Sequence, residues 1–129
     1  MHRWTDHTSE LGLEVEGESE TEVFVEAALA LAEVLGDDPR GEPKRHDVEL
    51  AATDRATLLA DWLGEIVYLA ETDGLLPERA SVALRESRLR ATVEGRTATP
   101  RYLVKAVTYH GLELTPRDGV WRATVVLDV

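Results

Sequence analysis

Oxygen-bearing side chains gather near both ends of this 129-residue chain. Near the start, two carboxylates, an imidazole and a hydroxyl lie within a short stretch: Asp6, His7, Thr8 and Glu10. Near the end, Asp128 follows an apolar run and precedes the last residue, Val129. Carboxylate oxygens are the ligands that hard cations prefer. If the fold brings the two ends together, they can bind a cation of the Mg²⁺ or Ca²⁺ class.

These groups also have structural interpretations. The cluster near the start suits a solvated strand entry, in which Asp6 or Thr8 bonds to the nearby backbone. Asp128 sits in a strand-forming apolar run, where a buried carboxylate needs a partner, whereas an exposed one does not. The candidate partners are a cation, Lys105, Arg101 and Arg122.

Lys105 lies in an apolar-rich segment that also contains Tyr109 and His110. It can contact a carboxylate, or it can face solvent while its stem packs against apolar neighbours. His7 and His110 are candidate metal ligands or proton shuttles, and a structural role is the alternative for both.

The chain is strongly acidic, with 25 Asp and Glu against 14 Lys and Arg, a formal charge of -11. Nucleic-acid affinity rests on Lys and Arg that displace counterions, so direct, tight binding of RNA or DNA is disfavoured. A basic protein partner or a divalent cation is favoured, although the acidity can also serve solubility alone.

Other features exclude whole classes of protein. Without cysteine there is no disulfide, thiolate metal site or Cys nucleophile. The patterns GxxxxGK[ST], GxGxxG, GxSxG and HExxH are missing, so the usual sequence support for several enzyme classes is missing too. The sequence has no apolar signal region and no apolar run of membrane-spanning length, so we expect a cytoplasmic protein without membrane contact.

Two helices are indicated by apolar residues at three- and four-residue spacing. The first is expected to begin at Ser19 or Thr21 and to stop at Gly36. The second is expected to begin at Thr53 or Asp54 and to end near Gly74.

Six or seven strands are predicted around these helices. Residues 11–16 alternate between apolar and polar, as do residues around 46–50 and the two halves of 81–94. Residues 103–110 are ambiguous between helix and strand, and Asp118-Gly119 marks a hairpin turn. We therefore predict a single α+β domain over residues 1–129, a two-layer α/β sandwich in which two main helices pack on mixed or antiparallel sheet.

Several segments together resemble the archease family over essentially the whole chain. They are Asp6-His7-Thr8-Ser9-Glu10-Leu11-Gly12-Leu13, the helix that begins at Thr21-Glu22, Leu58-Leu59-Ala60-Asp61-Trp62-Leu63-Gly64-Glu65, Val104-Lys105-Ala106-Val107-Thr108-Tyr109-His110, and Asp128-Val129. Each motif is weak alone, but the combination is specific.

The resemblance implies an accessory protein, not an enzyme, that serves the RtcB-type RNA ligase of tRNA splicing and RNA repair. Such proteins promote GTP-dependent guanylylation of the ligase and its multiple turnover. The resemblance also implies a divalent cation, Ca²⁺ above all, with Mg²⁺ and Mn²⁺ as alternatives. A weak homo-oligomer remains open.

By position, the implied metal ligands are Glu10, Asp128 and Val129, with Glu10 standing where the family usually has Asp. Asp6, His7, Lys105 and His110 are further candidate functional residues. Two other functions stay open: a chaperone or modulator of RNA-modifying enzymes such as tRNA methyltransferases, and a small metal-dependent hydrolase that uses the same carboxylates.

Overall fold

The computed structural model describes residues 1–7 and 9–129, except the side chain of His7. In chain order the elements are β1 (His2–His7), β2 (Glu10–Gly17), α1 (Glu20–Leu35), β3 (Gly36–Asp37), β4 (Pro43–Ala51), α2 (Arg55–Asp73), β5 (Leu75–Arg85), β6 (Arg88–Thr97), β7 (Thr99–Pro100), β8 (Ala106–Arg117) and β9 (Val120–Asp128).

The strands form two main antiparallel sheets and a short strand pair. The first sheet has the order β1-β2-β9-β8, the second has the order β4-β6-β5, and β3 pairs with β7. Helix α1 packs against β2 and β5, and α2 packs against β8 and β5, so each helix contacts both main sheets. This confirms the predicted α+β class of two helices on sheet, and it resolves the mixed or antiparallel alternative in favour of antiparallel pairing.

Helix α1 begins at Ser19, one of the two predicted caps. The Ser19 hydroxyl accepts a hydrogen bond from the backbone N–H of Glu22 at 3.1 Å, and the Glu22 carboxylate accepts from the N–H of Glu18 at 2.7 Å. These side chains satisfy backbone donors that the first turn leaves free. The helix ends before Gly36, as predicted, and Gly36 continues in extended conformation.

Helix α2 begins at Asp54, whose carboxylate accepts from the N–H of Thr57 at 2.8 Å. This bond lowers the pKa of the Asp54 carboxyl below its ordinary value. The predicted stop at Gly74 is confirmed, with a left-handed φ of 67°. Among the described residues, neither helix has the length and apolar character that crossing a bilayer requires.

The ambiguous segment of residues 103–110 enters a strand at Ala106. The register of β8 on β9 shifts between Thr108 and Glu113, so residues 109–112 bulge out of the ladder. Gly111, with φ of 66°, lies within this bulge. Residues 103–105 thus lie outside the strand and residues 109–110 lie in the bulge, so the two-residue alternation is short in this segment. The predicted turn at Asp118-Gly119 joins β8 to β9, as expected.

Strand β1 was not predicted, because the sequence analysis placed a strand only after the polar cluster at residues 6–10. Three contacts fix β1 to α1. The ring nitrogens of His2 lie 2.8 Å from carboxylate oxygens of Glu26 and Glu33, and the indole N–H of Trp4 donates to Glu33 at 3.0 Å. Polar contacts with the helix thus replace the apolar alternation that would have revealed this strand.

The largest fully buried side chain of the described residues is Trp62 of α2. Its indole N–H donates to the carbonyl of Phe24 in α1 at 2.9 Å, so one side chain joins the two helices by packing and by a hydrogen bond.

We expect Trp62→Ala to lower the free energy of unfolding by about 3–5 kcal/mol in urea titration. As a control, Tyr68→Ala on the same helix, where the side chain is 55% exposed, should change it by no more than about 0.5 kcal/mol. Equal losses of unfolding free energy in the two variants would contradict the assignment of Trp62 as the core side chain that joins the helices.

The β1–α1 contact should depend on pH through Glu26. Partial burial raises the pKa of this carboxyl, but hydrogen bonds from His2 and the N-terminal ammonium outweigh it, so the pKa lies below its ordinary value. A lowered carboxyl pKa stabilises the fold above the unfolded-state pKa, and this contribution is lost as pH falls through the folded-state pKa.

We therefore expect Glu26→Gln to lower the melting temperature near neutral pH, and this deficit to shrink as pH falls from about 6 to about 3. Circular dichroism melts at several pH values measure this. The matched control is Glu71→Gln, which changes an exposed carboxyl of α2. A deficit that stays constant over the whole range would contradict the prediction.

Candidate metal site at the end of the central strand pair

The structure brings the two ends of the chain together. Strand β9 lies between β2 and β8, and Glu10 of β2 is the direct cross-strand partner of Asp128 of β9. On the other side of β9, Asp128 is paired with Ala106 of β8. Side chains of direct partners in an antiparallel pair lie on the same face, with Cβ atoms about 4.5–5.5 Å apart. The predicted convergence of Glu10 and Asp128 is therefore a feature of the fold.

Both carboxylates point away from the helices. The neighbouring partners Leu11 and Leu127 belong to the helix-facing side, where Leu127 is fully buried, and side chains alternate along a strand. Glu10 is half-buried and Asp128 is exposed. Two negative charges directly opposite each other repel, and a bound cation would remove this repulsion.

The backbone around this carboxylate pair is held by hydrogen bonds from both neighbouring segments. The N–H of Lys105 donates to the carbonyl of Asp128 at 2.7 Å, and the N–H of Val129 donates to the carbonyl of Ser9 at 3.2 Å. Ser9 has a φ of 63°, in the turn that precedes β2. The backbone of Asp128 and Val129 is thus held in place on both sides of β9.

The exposed position of Asp128 settles two alternatives about its environment. The suggestion of a buried carboxylate that needs a basic partner is wrong, because its side chain points to solvent. Two of the suggested partners bind elsewhere: Arg101 donates to Asp37, and Arg122 forms an ion pair with Glu16 at 2.9 Å. Lys105 meets Asp128 through its backbone, while its side chain is exposed.

The other candidate residues lie around the carboxylate pair without joining it. Asp6 is the register partner of Leu11, so it belongs to the alternate face of the sheet from Glu10, although its side chain is exposed. His110 is exposed on the β8 bulge. The suggested roles of His7 concern a side chain outside the described residues, as does that of Thr8.

Comparison with known proteins agrees with this architecture. The family model described as the archease protein family (MTH1598/TM1083) matches residues 2–129. The chain belongs to the archease family. The archease of Methanosarcina mazei is 34% identical over 99% of this chain and 95% of its own length, and that of Methanothermobacter thermautotrophicus is 35% identical over 96% and 95%.

Two solved structures share the fold of this archease-family chain. The solution structure of Methanobacterium thermoautotrophicum protein 1598 has a TM-score of 0.77 at 31% identity and covers 99% of this chain and 98% of that one. The crystal structure of an archease from Thermotoga maritima, described as a possible chaperone, has a TM-score of 0.62 at 24% identity, with coverages of 100% and 98%. The second likeness concerns the fold alone.

The oxygen donors at the archease carboxylate pair fit a hard cation, but they are few. Among the described side chains, which do not include those of His7 and Thr8, no group of three or more His, Asp or Glu is arranged to hold a metal ion. Among the described groups, a main-chain oxygen of Val129 is adjacent to Asp128 and can serve as a third donor. Thr108 pairs with Val126, two residues before Asp128, and so lies on the same face of the sheet. Its hydroxyl is buried and, in the described part of the chain, has no hydrogen-bond partner. The described donors are all oxygens, as Ca²⁺ and Mg²⁺ prefer.

One contact near the site was missed by the sequence analysis. The hydroxyl of Tyr109 donates to the carboxylate of Asp61 at 2.5 Å, and this bond raises the pKa of the Tyr109 phenol. The contact joins the β8 bulge to α2. Both residues stand in the motifs that carried the family resemblance, and only their pairing across the fold was not visible. The pair holds the strand that leads from Ala106 against the helix.

If the carboxylate pair binds a cation, Asp128→Asn should be more stable than wild type without the cation and less stable than wild type with it. In EDTA, the free energy of unfolding of the variant should exceed that of wild type by about 0.2–1 kcal/mol, because the repulsion between Asp128 and Glu10 is removed. With Ca²⁺ at about 100 times its dissociation constant, the wild-type protein should gain about 2.7 kcal/mol, and the variant should gain much less.

Urea unfolding monitored by tryptophan fluorescence, with EDTA and with Ca²⁺, measures both effects. Glu113→Gln is the control, because it removes the same charge from an exposed position on the same sheet, away from the pair. An equal Ca²⁺-induced gain in wild type and in Asp128→Asn would rule out this pair as the site.

Proposed function

We propose that this chain is a non-catalytic, divalent-metal-binding accessory protein that activates an RtcB-type RNA ligase. It would promote GTP-dependent guanylylation of the ligase and its multiple turnover in tRNA splicing and RNA repair. Membership of the archease family supports the accessory role. The observation that carries the metal-binding part is the register that sets Glu10 directly opposite Asp128 on the open face of the first sheet.

Ca²⁺ is the proposed cation, with Mg²⁺ or Mn²⁺ as alternatives. Ca²⁺ accepts flexible, irregular sets of oxygen ligands, whereas Mg²⁺ demands near-ideal octahedral geometry and retains waters. A site made of Glu10, Asp128 and an oxygen of Val129 is open to solvent and leaves coordination positions free. When bound, the cation would supply positive charge of the kind that neutralises a nucleotide triphosphate.

The acidity of the chain supports an encounter with a basic partner. A formal charge of -11 creates an attractive field toward the RNA-binding surface of a ligase, which must be positive to bind phosphates. Such steering raises the association rate more than it raises the affinity. A transient complex suits an activator, since one that stayed on the RNA site would inhibit the ligase.

The proposal is tested by GMP incorporation into the cognate ligase with radiolabelled GTP. Wild-type protein should raise both the rate and the number of turnovers, and Asp128→Ala should lose most of this effect because one of two side-chain ligands is gone. Glu113→Ala changes the net charge equally without touching the site, and it should activate like wild type. Full activation by Asp128→Ala would refute the metal-dependent form of the proposal.

A chaperone-like modulator of RNA-modifying enzymes is the second candidate. The Thermotoga maritima archease is described as a possible chaperone. In this chain, large apolar side chains are exposed: Tyr102 (65%), Tyr109 (59%), Tyr68 (55%) and Leu103 (42%). Exposed apolar side chains support contact with other proteins where they form one contiguous patch. This function predicts an effect on the partner enzyme that neither EDTA nor Asp128→Ala changes.

A further inference from the structure

The outer face of the second sheet has a charge opposite to that of the whole chain. Residues of β4, β5 and β6 whose side chains point away from the helices include six of the twelve arginines in the sequence, all exposed. We call these residues the arginine face: Arg45, Arg79, Arg85, Arg88, Arg90 and Arg96. The register places three carboxylates on the same face, Asp47, Glu49 and Glu94, and Glu78 lies beside Arg79 at the register shift of β5, so the face has a formal excess of two positive charges.

The three carboxylates occupy three of these arginines. Arg79 forms an ion pair with Glu94 at 2.9 Å, Arg90 pairs with Glu49 at 2.9 Å, and Arg45 lies 4.0 Å from Asp47. Each of these three arginines is about 70% exposed or more. Such exposed ion pairs are weak, and they leave much of each arginine side chain in contact with solvent.

The other three arginines form no ion pair in the part of the chain that the structure describes. Arg96 donates only to the carbonyl of Gly41, at 3.1 Å. Arg85 and Arg88 are direct cross-strand partners, next to the turn that joins β5 and β6. Like charges directly opposite each other destabilise a sheet, so an anion between them would be favoured. The turn residue Glu86 is exposed and forms no ion pair among the described residues either.

The chemistry of the face favours phosphates over a protein partner. Guanidinium groups match phosphate oxygens with two parallel hydrogen bonds, and the exposed hydroxyl of Ser81 in the middle of the face is another phosphate ligand. A protein interface needs large apolar or aromatic anchors at its centre, whereas the exposed apolar residues on this face are the small ones Pro43, Ala51 and Ala83. The face also has no aromatic ring on which a base could stack.

We propose that the arginine face binds the phosphodiester backbone of RNA, without sequence preference. The charge argument stands independently of the ligase-activating function, and only the choice of RNA over DNA rests on that function. The contact is weak and sensitive to salt, because the rest of the chain is acidic and repels phosphates. Tight binding is still disfavoured by the net charge, as the sequence indicates, but this face has a local excess of positive charge.

The proposal is tested with the full chain alone, by fluorescence anisotropy of a labelled single-stranded RNA at several salt concentrations. If the three unpaired arginines contact phosphates, a fourfold rise in salt should weaken binding about 20-fold. In the double variant Arg85→Gln/Arg88→Gln, binding should be weaker at low salt, and the same rise should weaken it only about threefold. These exposed substitutions are expected to leave the fold intact, which thermal melts verify.

The matched control is Arg3→Gln/Arg117→Gln, which removes two exposed arginines from the outer face of the first sheet. It should bind RNA like wild type. Absence of RNA binding by wild type at low salt, or equal weakening by the control, would overturn the proposal. If polyglutamate displaces the RNA when both are present at the same concentration of negative charges, the face binds an acidic protein and the RNA proposal is wrong. None of these results depends on ligase activation, so each proposal can fail alone.

Discussion

The pairing of β2 with β9 is the interaction on which the rest of the structure depends. It places Leu13 opposite Val125 and Val15 opposite Ala123, and all four side chains are buried beneath the helices. A slip of one residue would turn these side chains to solvent and turn charged residues into the core, so the register is strongly fixed. The same register sets Glu10 opposite Asp128. Core packing and the geometry of the candidate site are therefore one constraint.

The local parts of this fold could be predicted from sequence, because their causes are local. Ser19 and Asp54 cap the helices through their own hydrogen bonds, and Asp118-Gly119 adopts the positive φ values that a two-residue hairpin turn needs. Strand β1 was missed, because contacts with Glu26 and Glu33 far along the chain hold it in place. Local patterning carries no trace of such partners.

The candidate site was predicted only in part, for a related reason. The donors Glu10 and Asp128 are separated by almost the whole chain, and spacing cannot show that they meet; the family resemblance suggested it and the register provides it. The environment of Asp128 could not be judged from its apolar neighbours, since alternate residues of a strand face opposite sides. The arginine face escaped notice for the same reason: its residues come from three strands and stand next to acidic residues in sequence.

Glutamate at position 10 has consequences for how a cation would be held. Glu has one more rotatable bond than Asp, and ordering it costs more side-chain entropy. Cation affinity in oxygen sites rises with the rigidity of the ligands. A half-buried Glu10 opposite an exposed Asp128 therefore favours weaker binding and faster exchange of the cation than two Asp carboxylates would. The backbone on both sides of Asp128 is held by hydrogen bonds from Lys105 and Val129, so flexibility is confined to the side chains. A fixed frame with adaptable ligands suits a protein that meets its partner transiently, because the ion can exchange without any rearrangement of the fold.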